Sequence, residues 1–334
     1  MRRWITRPRV WIGLSVSVLW GASMVALWLH EAGRAGAGLR QMGLSPETLM
    51  VSWNGCEYWM RIDHNGQRIG ASHLIVLPRH GDGAPSEDDP PPGYVMHTRT
   101  RLVWSALTLR IPIDLALHAR MNMNLEMETL QGRLVCHGWA ATFQGFVEDK
   151  QLLYRLSIAP QADATTSTAP PIMIHARVPD EVFGAAPLNR PILMRDVVGP
   201  ALARSDVFKP GARWTTQVSQ PFGGRQRMAL ETRVEGLETI AWRGRDLEVW
   251  RVTEQMGSLL SNVWYDREGR LLRREIEGGL TMTRTHRHEV LATDSGFRHP
   301  PRWPPLDREV VKQRQSASSS RPDLERFVTL LPWM

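Results

Sequence analysis

Lysine is nearly missing from this chain. Only Lys150, Lys209 and Lys312 occur among 41 basic residues in a length of 334, so the formal charge of +7 rests on arginine. Those arginines are interspersed with acids, as in Arg267-Glu268-Gly269-Arg270 and Arg273-Arg274-Glu275. Mixed charge of that kind belongs to a solvated surface and excludes a concentrated nucleic-acid footprint. Nucleotide signatures are missing too. PFGGRQRM has no Walker lysine, and no G-x-G-x-x-G follows a strand and opens a helix. No G-x-S-x-G elbow occurs; Asp294-Ser295-Gly296 is only a common tripeptide on the approach to the tail. No cofactor is therefore expected. Cysteine is limited to Cys56 and Cys136, and neither follows an apolar run at lipoprotein spacing, so acyl anchoring is not expected. With 42% apolar and 22% charged residues, neither a disordered chain nor a multi-span membrane protein fits.

One long apolar run does exist, at residues 10–29 (VWIGLSVSVLWGASMVALWL), and it carries no charge. About 20 residues at ~1.5 Å each span roughly 30 Å, the thickness of a bilayer's hydrocarbon core. Trp11 and Trp28 stand near its ends, where indole rings favour headgroups, and Arg2, Arg3, Arg7 and Arg9 precede it. The arginines hold that flank in the cytoplasm and place the rest of the chain outside the membrane. A cleaved signal peptide with Ala35-Gly36-Ala37 as its site is the competing reading, and it exports the chain equally. The apolar run exceeds a signal core, and Glu31 and Arg34 intervene, so an uncleaved anchor is preferred.

Seven segments follow: a basic tail at 1–9, the anchor at 10–29, a small and polar stalk at 30–48, a β unit at 49–178, a proline-cut linker with a possible short helix at 179–210, a second β unit at 211–292, and a Pro/Arg/Ser-rich tail at 293–334 expected to be disordered. In residues 107–118 (LTLRIPIDLALH) every second side chain is Leu or Ile, the alternation of a half-buried strand. Pro112 cannot donate to a ladder, so that strand should lie at an edge or carry a bulge. Residues 59–76 (WMRIDHNGQRIGASHLIV) resemble a catalytic loop because His64, Asp63 and His73 crowd around a glycine. Asn65-Gly66 between two β-compatible runs is instead the strongest short hairpin signal. Asp266-Arg267-Glu268-Gly269 predicts a second hairpin.

Three candidate sites arise from residue type and spacing. Met121, Met123 and Met127 make a pliable apolar stripe that either fills a sheet core or lines a groove for an apolar ligand. His286 and His288 share a strand face at a spacing zinc can use, although a third ligand is needed. Cys56 and Cys136 could pair in an oxidising compartment; two buried thiols within strands is the alternative. Glu126 and Glu128 would share a face in the manner of a glycosidase pair, but that face reads as solvent.

Trp53-Asn54-Gly55, then NGQRIG, VFKPGARW, VEGLETI, DLEVWRV and VWYDREGRLLRREI occur in that order across residues 51–291. This arrangement resembles the exported β-rich region of bacterial membrane-tethered proteins, some of which carry a transglutaminase-like domain downstream. It also resembles periplasmic proteins in the style of the lipoprotein carriers, built on a curved antiparallel sheet. The transglutaminase-bearing members need a nucleophilic Cys opening a helix, with His and Asp from following strands. Here both cysteines lie in strand-like runs, adjacent Cys136 and His137 point to opposite faces, and too little chain follows residue 291. The catalytic module is therefore not expected in this sequence.

The expectation is thus a mainly β protein: one N-terminal transmembrane helix, then an antiparallel, curved-sheet β domain in two units. Its function is expected to be binding or scaffolding at the extracytoplasmic (periplasmic) membrane surface, with an envelope protein or an apolar ligand as partner and no nucleic acid. The alternatives are an accessory subunit of a separately encoded transglutaminase-like enzyme, and a membrane-anchored hydrolase or metal site around His286 and His288.

Overall fold

A computed structural model of the chain describes residues 55–79, 93–106, 109–122, 127–136, 139–149, 151–160, 181–187, 208–219, 227–298, 303 and 306–318. The apolar run at 10–29, the stalk and the possible helix at 189–202 lie outside the described residues. Within them no helix is long and apolar enough to cross a membrane.

Fourteen strands form one antiparallel sheet: β1 (Cys56–His64), β2 (Gln67–Arg79), β3 (Gly93–Ala106), β4 (Leu109–Asn122), β5 (Met127–Cys136), β6 (Trp139–Glu148), β7 (Gln151–Pro160), β8 (Glu181–Pro187), β9 (Arg213–Ser219), β10 (Arg227–Trp242), β11 (Arg245–Met256), β12 (Leu259–Tyr265), β13 (Leu271–Ile276) and β14 (Leu280–Arg284). The order across the sheet is β8-β7-β6-β5-β4-β3-β2-β1-β14-β13-β12-β11-β10-β9. The described part of the chain therefore enters at the middle of the sheet, meanders out to one edge, resumes at the other edge and meanders back. The two expected units are halves of one sheet, joined where β1 pairs β14 from Met60↔Arg284 to His64↔Leu280. The second edge of the first half, β8, lies inside the stretch expected to be an irregular linker.

The turns follow their chemistry. Asn65 and Gly66 both adopt positive φ (50° and 78°), so a two-residue turn of matching twist joins β1 to β2. Asn65 N–H then donates to the Gly279 carbonyl of the neighbouring turn at 2.9 Å. Arg243 and Gly244 repeat the device between β10 and β11 (φ 53° and 78°). In the second predicted hairpin, the Gly269 amide donates to the Asp266 carbonyl at 2.9 Å. Pro112 sits in an interior strand, not at a sheet edge. Among the described residues Pro112 is paired with Val103 of β3, and the described part of β5 stops at Cys136, opposite Ile113.

Alternation sends one side-chain set inward. Tyr58, Val76, Tyr94, Met96, Leu117, Met121, Met127 and Leu130 of the first half share a core with Val234, Val252, Val263, Tyr265 and Leu271 of the second. A sheet this wide coils, and a core common to both halves shows that it wraps around one interior. On the outer face, alternate residues make a cross-strand polar ladder: His97↔His118↔Gln131↔Gln144↔Arg155.

The chain after β14 covers that ladder. α1 (Arg287–Thr293), a 3₁₀ turn (Ser295–Arg298) and α2 (Arg308–Ser318) cross the outer face. Val290 packs on Trp59 and Ala71, with Phe297 against the same patch. Arg99 pairs with Asp114 through two bonds of 2.6 and 3.0 Å and donates to the Gly296 carbonyl at 2.7 Å; Arg101 pairs with Asp294. The Trp303 ring stacks over His118 at 6.0 Å. Val311 buries against Phe146 and Leu153, and Lys312 pairs with Glu148 at 2.6 Å. This part of the tail, expected to be disordered, is ordered because its few apolar side chains find an apolar stripe on the outer face of the sheet.

Candidate functional site

The sequence-predicted candidates do not converge. Met121 and Met127 are buried (4% and 3% exposed) as a cross-strand pair in the shared core, so they fill the interior instead of lining an open groove. Residues 123–126, including Met123 and Glu126, lie outside the described residues, as does His137. The run 121–128 is not one strand: β4 ends at Asn122 and β5 begins at Met127. Cys56 opens β1 and Cys136 closes β5, four strands away across the sheet, and no disulfide joins them. Burial pushes the Cys136 thiol up to about 11, which keeps it protonated at neutral pH and poorly nucleophilic.

His286 and His288 are not on a strand. β14 ends at Arg284, His286 is the N-cap of α1, and His288 lies in its first turn. The two rings stack at 5.3 Å. Arg243 donates from Nη1 to His286 Nε2, so the lone pair a metal would need is occupied, and a guanidinium stands where a cation would sit. Among the described residues no group of three or more His, Cys, Asp or Glu side chains is placed to hold a metal ion.

His286 does belong to a site of another kind. A cleft of about 560 Å³ opens at one end of the sheet. It is built from the start of β1 (Glu57, Trp59), the β10–β11 hairpin (Trp242, Arg243, Arg245), the β12–β13 hairpin (Asp266, Glu268, Arg270) and the β14–α1 junction (Arg284, Thr285, His286, Arg287). Five arginines face three carboxylates. Every one of those carboxylates is already engaged within its own hairpin or strand pair. Glu57 accepts from Trp59 Nε1 and from His73 Nε2, both at 2.9 Å. Asp266 accepts from the Arg270 amide at 2.7 Å and from its Nε at 2.6 Å, and Glu268 from its Nη2 at 2.9 Å. These bonds hold the Arg270 guanidinium above its ordinary range.

That leaves Arg243, Arg245, Arg284 and Arg287 around the cleft with no carboxylate at ion-pair distance among the described residues. Arg243 rides on the positive-φ turn, and its Nη2 points at the Arg284 carbonyl (3.4 Å). Its guanidinium lies 5.6 Å over Trp242, and that of Arg284 lies 5.3 Å over Tyr58. Aromatic faces hold both in place without neutralising them. Thr285 is the cleft's hydroxyl, and it donates to Glu289, outside the lining. Glu289 is held below its usual range by that bond, with charge from His286, Arg243 and His288 adding to it. The arrangement concentrates fixed positive charge, and His286 is committed as an acceptor from Arg243.

A second polar feature lies inside the sheet. Thr232, Glu254 and Ser261 form one cross-strand row on β10, β11 and β12, all buried. The Thr232 and Ser261 hydroxyls make no hydrogen bond among the described residues, and Glu254 stands 3.9 Å from Arg274.

Sequence reading missed the arginine cleft because its parts come from four separate stretches. The available signal was local: Trp242-Arg243-Gly244-Arg245, an arginine–glycine turn flanked by alternating runs.

No protein-family description matches the chain, and neither does any curated protein. Among solved structures it is similar to a β-barrel-like protein of the domain of unknown function DUF1849 from Brucella abortus. The identity is 10% and the TM-score 0.37, over 69% of this chain and 94% of that one. It is also similar to the hypothetical lipoprotein YmcC from Escherichia coli, with 14% identity and a TM-score of 0.22, over 75% of this chain and 92% of that one.

Proposed function

We propose that this is a membrane-anchored, extracytoplasmic binding protein of the bacterial envelope, and that it takes an anionic ligand in the arginine cleft without transforming it. One observation carries the reading: four arginines without carboxylate partners line a single cleft, whereas every acid there is satisfied. Uncompensated like charge in a concave site is costly unless an anion neutralises it, and guanidinium forks match phosphate and carboxylate geometry. An apolar ligand in the interior is the weaker reading, because the described inner face is filled by the protein's own Met, Tyr and Val side chains.

The test is calorimetric titration of the full chain, in neutral detergent, with inorganic pyrophosphate. Saturable binding that weakens with salt and is lost in a variant carrying Arg243→Gln, Arg245→Gln and Arg287→Gln supports the proposal. Binding that survives those substitutions, or no heat at all, defeats it.

A further inference from the structure

The cleft stands at a particular place on the chain. Glu57 and Trp59, which line it, lie at the first turn of backbone to enter the sheet, and Arg284 and Arg287 flank the end of β14 beside them. Strand β1 thus brings the chain into the fold at the cleft end. Upstream of it, only residues 30–55 separate the sheet from the apolar run at 10–29. At ~3.5 Å per residue those 26 residues reach at most about 90 Å, and about 39 Å if helical. A tether of that length keeps the end it attaches to in continual reach of the bilayer, which raises the local concentration of headgroups.

We infer that the arginine cleft docks on the phosphate groups of acidic phospholipids in the membrane that holds the chain, orienting the sheet with its β1 entry end toward the bilayer. This rests on the anchored, anion-binding reading above and names the source of the anion. Three features of the site fit a headgroup. Arg243, Arg245 and Arg287 are exposed, so an extended surface can reach them. They come from the β10–β11 hairpin and the β14–α1 junction, which meet at the cleft end of the sheet. The acids that line the cleft, Glu57, Asp266 and Glu268, are held by His73, Trp59 and Arg270, and Glu289, outside the lining, accepts from Thr285. Fixed cations of this sort gain by sitting in the negative potential of an acidic leaflet, which fades within a Debye length.

The experiment uses the full chain reconstituted in nanodiscs of phosphatidylcholine alone or of an equal mixture of phosphatidylcholine and phosphatidylglycerol. Hydrogen–deuterium exchange is followed at the 243–245 turn and at 284–287. The expected result is exchange slowed several-fold in the acidic discs, abolished by high salt and lacking in the Arg243→Gln, Arg245→Gln, Arg287→Gln variant. Arg284 is left in place because its guanidinium packs over Tyr58; a melting temperature matching the parent shows that the variant folds. Equal exchange in both discs overturns the docking. Glycerol phosphate in solution, slowing exchange in neutral discs as much as phosphatidylglycerol does, overturns the lipid source while leaving an anion site. A chain retained by neither disc on flotation removes the tether, and this inference with it, whereas pyrophosphate binding by the same preparation keeps the cleft as an anion site.

Discussion

Acid should loosen the C-terminal cover before it melts the sheet. His97 and His118 face each other across β3 and β4 with their Nδ1 atoms 3.1 Å apart. One ring must donate and the other accept, so protonating both destroys the bond and sets two cations side by side. Burial holds both below the ordinary histidine value. For His118, burial together with the charges of His97 and Arg120 brings the ring down to about 4. His97 is lowered by burial and by His73, and His73 in turn by burial, with Glu57 opposing and Arg287 assisting. The Asp114 carboxylate, four residues from His118 on the same strand, is taken by Arg99 and Arg101.

Because the folded His118 binds its proton less readily than the unfolded chain, its stabilising effect is complete above pH ~6.5. It is lost as pH falls from there to about 4. A shift of that size is roughly 3 kcal/mol at full strength; water reaching the half-buried ring reduces it to about 1–2 kcal/mol. For a domain of this length that lowers the melting temperature by roughly 2–8 °C. Melting of the full chain at about pH 7 and about pH 4.5, beside a His118→Gln variant, isolates the effect. The variant should lose less on acidification, and exchange at Trp303 and α2 should accelerate with acid in the parent before that of β3 and β4. If parent and variant lose the same number of degrees over this range, the His97–His118 pair carries none of the pH dependence and the argument is refuted.

Three other outcomes follow from packing and backbone. Thr232→Val replaces a buried hydroxyl that lacks a protein partner with an apolar group of the same shape. It should raise stability by up to about 1 kcal/mol in urea unfolding, and a loss of that size would show that the hydroxyl is engaged. Val252→Ala empties space in a fully buried part of the shared core and should cost roughly 2 kcal/mol, read as a lower urea midpoint with an unchanged slope. Gly244→Ala strains the positive-φ turn (78°) that carries Arg243. It should cost about 1 kcal/mol and weaken pyrophosphate binding as well; unchanged binding would detach the turn from the site.

Local regularities in the sequence translated well, and long-range ones did not. Asn65-Gly66 and the Asp266–Gly269 turn act within a few residues, so their geometry is written in their own composition. The period-two face of residues 111–121 is likewise a property of one strand. By contrast, Met60 pairs with Arg284 across more than two hundred residues, and nothing in either strand names the other. That pairing makes two apparent units one sheet. β8 escaped notice because EVFGAAP offers only two large apolar residues, and its edge position asks for no more. The strand-face placement of His286 and His288 failed because the alternation of β14 runs visually into residues whose apolar members, Val290 and Leu291, suit a helix packed on Trp59.

The cleft's invisibility has the same cause as its chemistry. Each acid in it is satisfied by a near neighbour: Asp266 and Glu268 by Arg270 within one hairpin, and Glu57 by Trp59 two residues on and by His73 across one strand pair. Local sequence thus looks balanced, arginine beside acid, as it does along the whole chain. The surplus appears only when β1, the β10–β11 turn and the β14–α1 junction are brought to one end of the sheet, where Arg243, Arg245, Arg284 and Arg287 meet without carboxylates of their own. Even spacing of charge along a sequence excludes a contiguous basic block; it does not exclude a basic site assembled by topology.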